Sequence, residues 1–334
     1  MSFQPLLLAI FGTLAMAAFG IVAGLWLLGV DRVLAARMQA RIGPPVRQPF
    51  IDVAKLLSKQ NLVPANAIPW LFNGAPLVAL AGAVSVLLYV PAAASGLLPV
   101  LGPYGDLVLV MYLLAVPALA MVAGGLASGS PYASIGAQRE MVTMIAYELP
   151  LAATVVAFAW KLAAAGVPNP FLLSSLHANP LWSLVGPLGA MGLLLLLATM
   201  LLVVPGELGR IPFDAPEAET EIAGGLIVEY SGRNLALFQL ALAVKTVVVS
   251  ALVVSLFFPW GVSDLLPLRP LAALLADAAF FLAKILVVLF FSVTLARVSV
   301  ARLRINHVVD VYWKALGILS ILGLLLLAVD AHVR

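Results

Sequence analysis

Apolar residues fall into eight long runs, each close to the length of a bilayer crossing. The runs cover roughly residues 5–30, 70–94, 107–127, 141–165, 183–204, 235–258, 274–296 and 312–330. A transmembrane helix needs about 20 predominantly apolar residues, and these runs lack the alternation of membrane β-strands. The first run has no small-residue cleavage site, so we expect it to be retained. The pattern predicts an all-α integral membrane protein of about eight transmembrane helices in a single domain, 1–334.

Composition supports this prediction and narrows the chemistry. Of the 334 residues, 63% are hydrophobic and only 10% are charged, whereas a soluble domain carries about 25% charged residues. The chain has no cysteine and three widely spaced histidines, His177, His307 and His332. Because iron–sulfur clusters are held by cysteine thiolates, we expect no metal or cofactor in this chain and place any redox centre on a partner.

Basic residues gather in the connections on one side of the predicted bundle. Twelve arginines and lysines lie in the four connections 31–69, 128–140, 206–234 and 297–311. The loops on the opposite side hold only Arg269. Since cytoplasmic loops carry an excess of Lys and Arg, we predict that these four connections are cytoplasmic and that both termini lie outside.

The first connection is the longest and the most basic. A break at Gly43–Pro45 precedes a stretch that places Phe50, Ile51, Ala54 and Leu57 on one face, which predicts an amphipathic interfacial helix. Its basic residues could hold lipid head groups or dock a soluble subunit, and the rigid turn favours docking. The predicted docking residues are Arg37, Arg41, Gly43, Pro44, Pro45, Arg47, Lys55, Arg210 and Arg233.

The connection at 206–232 is the most acidic stretch. Asp214 suits a helix start, and on such a helix Glu217 and Glu221 share its face while Glu219 points away. Crowded carboxylates repel, so at least one is expected to have a raised pKa. A solvated acidic face is the alternative, but the apolar residues interspersed in this long acidic loop are typical of a protein interface.

Four charges lie inside predicted transmembrane helices: Glu148, Lys245, Asp277 and Lys284. A charge at the bilayer centre costs about 2.5–3.5 kcal/mol on insertion scales, so they predict a polar interior or a proton path. Glu140, eight residues before Glu148, lies within a quarter-turn of it on a helix. For the lysines the alternative is snorkelling to the membrane surface.

Four segments resemble one known family. They are ARMQARIGPPVRQPFIDVAKLLSKQNLVP, SPYASIGAQREMVTMIAYELPL, GRIPFDAPEAETEIAGGLIVEYSGRNLALFQL and, more weakly, LARVSVARLRINHVVDVYWKALGIL. The chain is identified by them as a member of the membrane-anchor family shared by respiratory complex I (its subunit 1) and the energy-converting, group 4 [NiFe] hydrogenases.

Details of these segments favour the hydrogenase branch. The first loop reads RIGPP where complex I typically has RxGPN, and Leu242 occupies the place of a complex I glutamate, with Lys245 just beyond. A quinone-chamber subunit of a complex I type enzyme is the alternative within the family. A stand-alone ion transporter is the alternative of another class, supported only by the intramembrane charges and opposed by the large loops and the absence of an inverted repeat.

The resemblance implies a non-catalytic membrane subunit of an ion-translocating oxidoreductase in the cytoplasmic membrane of a prokaryote. Its partners would be the [NiFe] large subunit, an iron–sulfur small subunit and antiporter-like membrane subunits, with a low-potential electron donor, membrane lipid and no nucleic acid. The predicted proton or ion relay residues are Glu140, Glu148, Asp214, Glu217, Glu219, Glu221, Glu229, Lys245, Asp277 and Lys284. Whether Lys245 replaces the absent glutamate stays open on the sequence.

Overall fold

The computed structural model describes residues 4–90, 101, 104–263 and 269–333. Within that part of the chain, eight helices are long and apolar enough to cross a membrane. They are Ile10–Met38, Pro69–Leu87, Leu107–Ala127, Pro131–Ala164, Pro187–Glu207, Gly232–Phe257, Pro270–Ser299 and Ile305–His332. No strand forms among the described residues, and the prediction of an all-α, multi-pass membrane protein is confirmed.

Numbered in chain order, with the short helices included, the elements are α1 (Gln4–Met38), α2 (Gln48–Ser58), α3 (Pro69–Leu87), α4 (Leu107–Ala127), α5 (Pro131–Ala164), α6 (Leu173–Ala178), α7 (Leu181–Leu184), α8 (Pro187–Glu207), α9 (Glu219–Ile222), α10 (Gly232–Phe257), α11 (Pro270–Leu289), α12 (Leu295–Ser299), α13 (Ile305–Asp310) and α14 (Gly317–Val333). A π-helical segment, Phe290–Thr294, joins α11 to α12, and another, Val311–Leu316, joins α13 to α14. Each of these two pairs therefore forms one continuous crossing.

Three predicted connections are shorter in the structure because helices continue into charged sequence. α1 runs to Met38, α5 begins at Pro131 and α13 begins at Ile305. The predicted boundaries are wrong at these ends of the connections 31–69, 128–140 and 297–311. Hydropathy marks only the part of a helix that suits hydrocarbon, whereas Arg, Glu, Gln and Met sustain helical hydrogen bonding beyond it. Residues 91–94 of the predicted second crossing lie outside the described residues.

Backbone contacts gather the charged connections at one end of the bundle. The amide of Ile68 donates to the carbonyl oxygen of Ala127 at 2.8 Å, and the amide of Leu303 donates to that of Pro212 at 3.0 Å. We call this the charged end; it comprises the segments 39–68, 128–130, 208–231 and 300–304. Because successive crossings run in opposite directions, the connection 165–186 and the described residues 258–263 and 269 lie at the opposite end.

Helix α10 forms the centre of the bundle. In its apolar window 89% of the residues are buried, against 33–56% for the other seven crossings. It packs against α1, α3, α8 and α11. A charged side chain in the middle of α10, such as Lys245, therefore meets protein rather than lipid.

The predicted amphipathic helix is α2, which packs on α1 and α10. Its bundle-facing side differs from the prediction: Pro49 and Val53 are buried, whereas Ala54 and Leu57 are exposed. Asp52 on α2 accepts a hydrogen bond from Arg32 on α1 at 2.9 Å. That bond lowers the pKa of Asp52 against the opposing effect of burial.

Candidate functional site

A buried ion pair lies at the core of the charged end. Lys245 on α10 places Nζ 2.9 Å from Oε1 of Glu207, the last residue of α8. Lys245 is 5% exposed and Glu207 is 4% exposed. A buried charge is tolerated only when a partner offsets the loss of water, so each residue depends on the other. The alternative in which Lys245 snorkels to the membrane surface is wrong.

Close packing positions Glu207 at the end of α8. The preceding residue, Gly206, lies against the ring and hydroxyl of Tyr312, where a Cβ would overlap them. The Tyr312 hydroxyl donates a 3.0 Å hydrogen bond to the carbonyl oxygen of Leu202. Sequence reasoning placed Glu207 in a loop and missed its role. An acidic residue that directly ends an apolar run is the signal that could have identified it.

A cavity of about 30 Å³ adjoins the ion pair. Its charged lining residues, which we call the central cluster, are Glu140, Glu207, Asp214, Glu217 and Lys245. The volume has room for one or two water molecules. Glu148, half-buried on α5, interacts electrostatically with Glu207 and Lys245. The structure thus brings four predicted relay residues together around the Lys245–Glu207 pair: Glu140, Glu148, Asp214 and Glu217. Glu207 itself was not among the predicted relay residues.

The acidic segment does not form the single helix that was predicted. A 3₁₀ turn at Ala215–Glu217 is followed by extended Ala218 and by α9, which is one turn long. Asp214, Glu217 and Glu221 therefore do not share a helical face, and the prediction is wrong on this point. Proline at position 216 and the extended backbone at 218 interrupt continuous helical hydrogen bonding.

Two of these carboxylates instead meet an arginine from another segment. Asp214 receives two hydrogen bonds from Arg302, at 2.6 and 2.9 Å. Glu221 pairs with Arg139 on α5 at 2.5 Å. Glu219 is exposed, as predicted, and the predicted relay residue Glu229 is half-buried outside the central cluster.

Glu217 shows the raised pKa expected of at least one acidic residue in this segment. Burial raises the pKa of its carboxyl above the ordinary value of 4.5, the Arg210 guanidinium opposes the change, and Asp214 adds to it. Burial likewise lowers the pKa of Arg210, which Asp31 and Glu217 raise. Loss of water is thus the main cause, and the crowding of carboxylates is secondary.

A second cavity, of about 160 Å³, lies between α1, α2 and α10. Its polar wall holds Arg32, Asp52, Arg210 and Glu217, and its apolar wall includes Leu25, Leu28, Val53, Phe238 and Leu242. We call it the lateral cavity. Glu217 and Leu242 line both this cavity and the central one, so Glu217 is the carboxylate that the two spaces share.

Asp277 and Lys284 lie at the opposite end and do not join the central cluster. The Asp277 carboxylate accepts hydrogen bonds from the Val262 and Ser263 amides and from the Ser263 hydroxyl. Lys284 donates to the carbonyl oxygens of Phe258 and Trp260, at 2.7 Å each. Both side chains contact the segment at residues 258–263. Their contacts fix the chain that follows α10.

Three further buried charged residues, Lys161, Asp330 and Asp31, were not among the predicted site residues. At the opposite end Lys161 pairs with Asp330 at 2.7 Å, and the Asp330 carboxylate also accepts from the amides of Gly186 and Gly189. At the charged end Asp31 accepts a 2.6 Å hydrogen bond from the Thr294 hydroxyl. Asp31 and Asp330 each end an apolar run, the same signal that marks Glu207.

Most of the predicted docking residues are exposed at the charged end. Those with exposed side chains are Arg37, Arg41, Pro44, Pro45, Arg47, Lys55 and Arg233. Gly43 is half-buried against α1. Arg210 is half-buried, and its charge interacts with Asp31 and Glu217, so the structure places it in the internal network rather than on a docking surface.

This arrangement is chemically able to move protons. Carboxyl and ammonium groups around water-sized space can exchange protons over short distances. No group of three His, Asp or Glu side chains in the described part of the chain is placed to hold a metal ion. The central cluster connects the 208–231 segment with the middle of the bundle.

Comparison with known proteins places the chain among membrane subunits of redox complexes. The model of the NADH dehydrogenase family matches residues 11–328. The matching subunit of the NADH-quinone oxidoreductase of Brevibacillus brevis is 33% identical over 90% of this chain and 86% of that protein. Hydrogenase-4 component C of Escherichia coli (strain K12) is also 33% identical, over 85% of each chain.

A solved structure shares the whole architecture. A chain of the membrane-bound sulfane sulfur reductase, an archaeal respiratory membrane complex, superposes with a TM-score of 0.83 at 27% identity, covering 96% of this chain and 99% of that one. Its name and the names of the two relatives describe oxidoreductase, hydrogenase or respiratory complexes. The chain belongs to the NADH dehydrogenase family, the membrane-subunit family that respiratory complex I and membrane-bound hydrogenases share.

Proposed function

We propose that the chain is the anchoring and coupling subunit of an energy-converting [NiFe] hydrogenase complex. Its charged end would face the cytoplasm and dock the hydrogenase small and large subunits. The central cluster would relay redox energy to proton or sodium translocation. The observation that carries the proposal is the Lys245–Glu207 pair, which lies beside three further carboxylates. Buried ionisable groups gathered in this way are typical of sites that take up and release protons.

The relay would begin in the 208–231 segment, directly beneath the docked subunits. Electron transfer in those subunits changes the charge above Arg210 and Glu217, and that change favours uptake or release of a proton by Glu217. A changed charge on Glu217 acts on Lys245 and Glu140 across the central cavity. Glu148 then lies next along α5, within electrostatic reach of the pair.

Lys245 would take the place of the glutamate that complex I carries on this helix. Leu242 leaves an apolar surface where that glutamate would stand, and it lines both cavities. Glu207 supplies the negative charge from α8 instead. The pair would thus retain an acidic side chain beside the central cavity. Antiporter-like subunits beside α5 would receive the proton or the change in field.

A quinone-reducing enzyme is the second candidate, and the lateral cavity favours it. A quinone ring is apolar on its faces and accepts hydrogen bonds at its edges, and this cavity has one apolar and one polar wall. Arg32 and Arg210 would then hold the quinone oxygens, and the redox energy would be released at this cavity instead of in a docked hydrogenase.

Purification of the complex through a tag on this chain tests the proposal. We expect nickel and iron to co-purify, and reduced methyl viologen to yield hydrogen. Reduction of a short-chain quinone without nickel would favour the second candidate. A chain that purifies alone and still moves ions in vesicles would favour a stand-alone transporter.

A further inference from the structure

A third cavity, of about 460 Å³, opens at the charged end apart from the central cluster. It lies between the end of α1, the turn at residues 39–44 and α12. Three arginines line it: Arg32 from α1, Arg41 from the turn and Arg297 from α12. We call it the arginine cavity. Its described lining contains no carboxylate, and because the three guanidinium groups come from separate elements, the fold itself brings them together.

Two of the three arginines are already oriented by aspartates behind the cavity. Arg32 pairs with Asp52 at 2.9 Å, and Arg297 pairs with Asp31 at 3.4 Å. Arg41 donates to the side-chain oxygen of Gln39. Among the described residues Arg41 has no carboxylate within ion-pair distance. A guanidinium has five N–H donors, so all three arginines keep donors for a ligand. The positive charge of Arg41 is the one that no carboxylate in the described part of the chain balances.

The position of the cavity along the crossings matches the membrane headgroup layer. The crossing of α1 has 29 residues, whereas about 20 span the hydrocarbon, so its last turns extend beyond the hydrocarbon. Arg297 lies two residues before the end of the α11–α12 crossing at Ser299. Exposed apolar side chains lie on and near the lining: Ile42, a lining residue, is 90% exposed, and Met38, Leu295 and Val300, each within three residues of a lining residue in sequence, are 42%, 39% and 44% exposed.

We propose that the arginine cavity binds the phosphate of an anionic phospholipid. Guanidinium groups match phosphate oxygens in pairs of parallel hydrogen bonds, and basic pockets near the ends of transmembrane helices suit anionic headgroups. A phosphodiester carries the single negative charge that Arg41 leaves to balance. Its acyl chains would lie on Ile42 and Met38, whose exposure favours a lipid over an acidic segment of a partner protein.

This inference makes Arg41 a lipid ligand and leaves Arg47 and Lys55 for subunit docking. It does not depend on the nature of the redox partner, since neither nickel nor hydrogen enters the measurement. The test uses the intact complex, purified in mild detergent and delipidated. Phosphatidylglycerol, phosphatidylcholine and inorganic phosphate are added separately, and the melting temperature is followed as each is titrated.

Phosphatidylglycerol should raise the melting temperature of the wild type, while phosphatidylcholine and inorganic phosphate should not. Arg41→Gln should increase the half-saturating phosphatidylglycerol concentration about tenfold, because one charge-assisted contact is lost. Arg41→Gln/Arg297→Gln should abolish the shift. Arg304→Gln is the matched control: Arg304 is exposed at the same end but does not line the cavity. Arg41 is exposed and makes no ion pair with any described residue, so Arg41→Gln should fold.

Three results would overturn the inference. An equal half-saturating phosphatidylglycerol concentration in Arg41→Gln and Arg304→Gln would show that the arginine cavity does not bind the lipid. Equal protection by inorganic phosphate would make the ligand a free anion. Loss of the soluble subunits from the double variant, with its lipid titration unchanged, would make a partner's acidic segment the occupant.

Discussion

Lys245 and Glu207 offset each other's loss of water, because the two buried side chains carry opposite charges. Their side chains are 6% and 2% exposed, so the attraction between them is little screened. Removing one partner leaves a buried charge, which costs about 3–5 kcal/mol, whereas replacing both with neutral groups of similar volume is often close to neutral. This asymmetry can be measured.

Lys245→Met should lower the melting temperature of the purified complex, because Glu207 must then lose its charge or its burial. Lys245→Met/Glu207→Gln should restore most of that loss. Lys314→Met is the control, since Lys314 pairs with Asp310 on the surface, with side chains 74% and 54% exposed, and such pairs contribute little. A double variant that melts as low as Lys245→Met would show that the two residues do not depend on each other.

Glu217 should make the stability of the folded protein decrease as the pH rises. Burial raises its pKa in the folded protein above 4.5, so the folded state binds the proton more tightly than the unfolded state does. Its contribution to stability is full below pH 4.5 and is lost as the pH rises through the raised pKa. Glu217→Gln should therefore flatten the decline in melting temperature as the pH rises above 4.5.

The exposed neighbour Glu219 provides the control for this experiment. The melting temperature of Glu219→Gln should decline with pH as that of the wild type does, because Glu219 is exposed and lies outside the central cluster. Identical slopes in the wild type and both variants would mean that Glu217 is solvated.

At the level of elements, α2 presents its basic residues outward while its apolar side holds it on α1 and α10. Arg47 and Lys55 are exposed, and Asp52 is already paired with Arg32. The helix thus has a fixed position and an available positive surface. These are the properties expected of a docking element for an acidic partner.

Arg47→Glu/Lys55→Glu should release the soluble subunits while the chain stays inserted, because like charges would then face the partner. Blue-native electrophoresis of mildly solubilised membranes measures the release. Arg269→Glu, an exposed arginine at the opposite end, makes the same kind of charge reversal and should leave the complex intact. Retention of the subunits by the α2 double variant would refute docking through α2.

The transmembrane helices could be predicted from the sequence, whereas the acidic segment could not. A run of about 20 apolar residues is a local signal that needs no tertiary information. The conformation around Asp214 instead depends on Arg302 and Arg139, which are 88 and 82 residues from their partners Asp214 and Glu221. Such distant contacts override the local helical pattern.

Some residues of the central cluster could likewise be predicted from the sequence, and others could not. Glu140, Glu148 and Lys245 could be identified because charge near or inside an apolar run is conspicuous. The partner of Lys245 could not, since the pair joins separate helices. Asp277 and Lys284 were equally conspicuous, yet in the structure they bind the segment that follows α10. The sequence alone does not distinguish a charge that relays protons from one that holds a loop in place.

At the scale of the whole molecule, a coupling role requires the central cluster to connect two surfaces. The docked subunits would lie above the 208–231 segment, and the ion-translocating subunits would lie beside the bundle. The central helix α10 is the most buried crossing, and Lys245 is the charge it places at the cluster. Neutralising the pair should therefore separate redox turnover from ion movement without preventing assembly.

The most direct test is the ion gradient formed per hydrogen evolved by Lys245→Met/Glu207→Gln. Hydrogen evolution is measured in leaky membranes, and gradient formation is measured in sealed vesicles, with Glu219→Gln as the control. We predict that the double variant keeps most of its hydrogen evolution and forms a much smaller gradient, because the titratable pair is gone. A double variant that builds the same gradient per hydrogen as the wild type would contradict a coupling role for the central cluster.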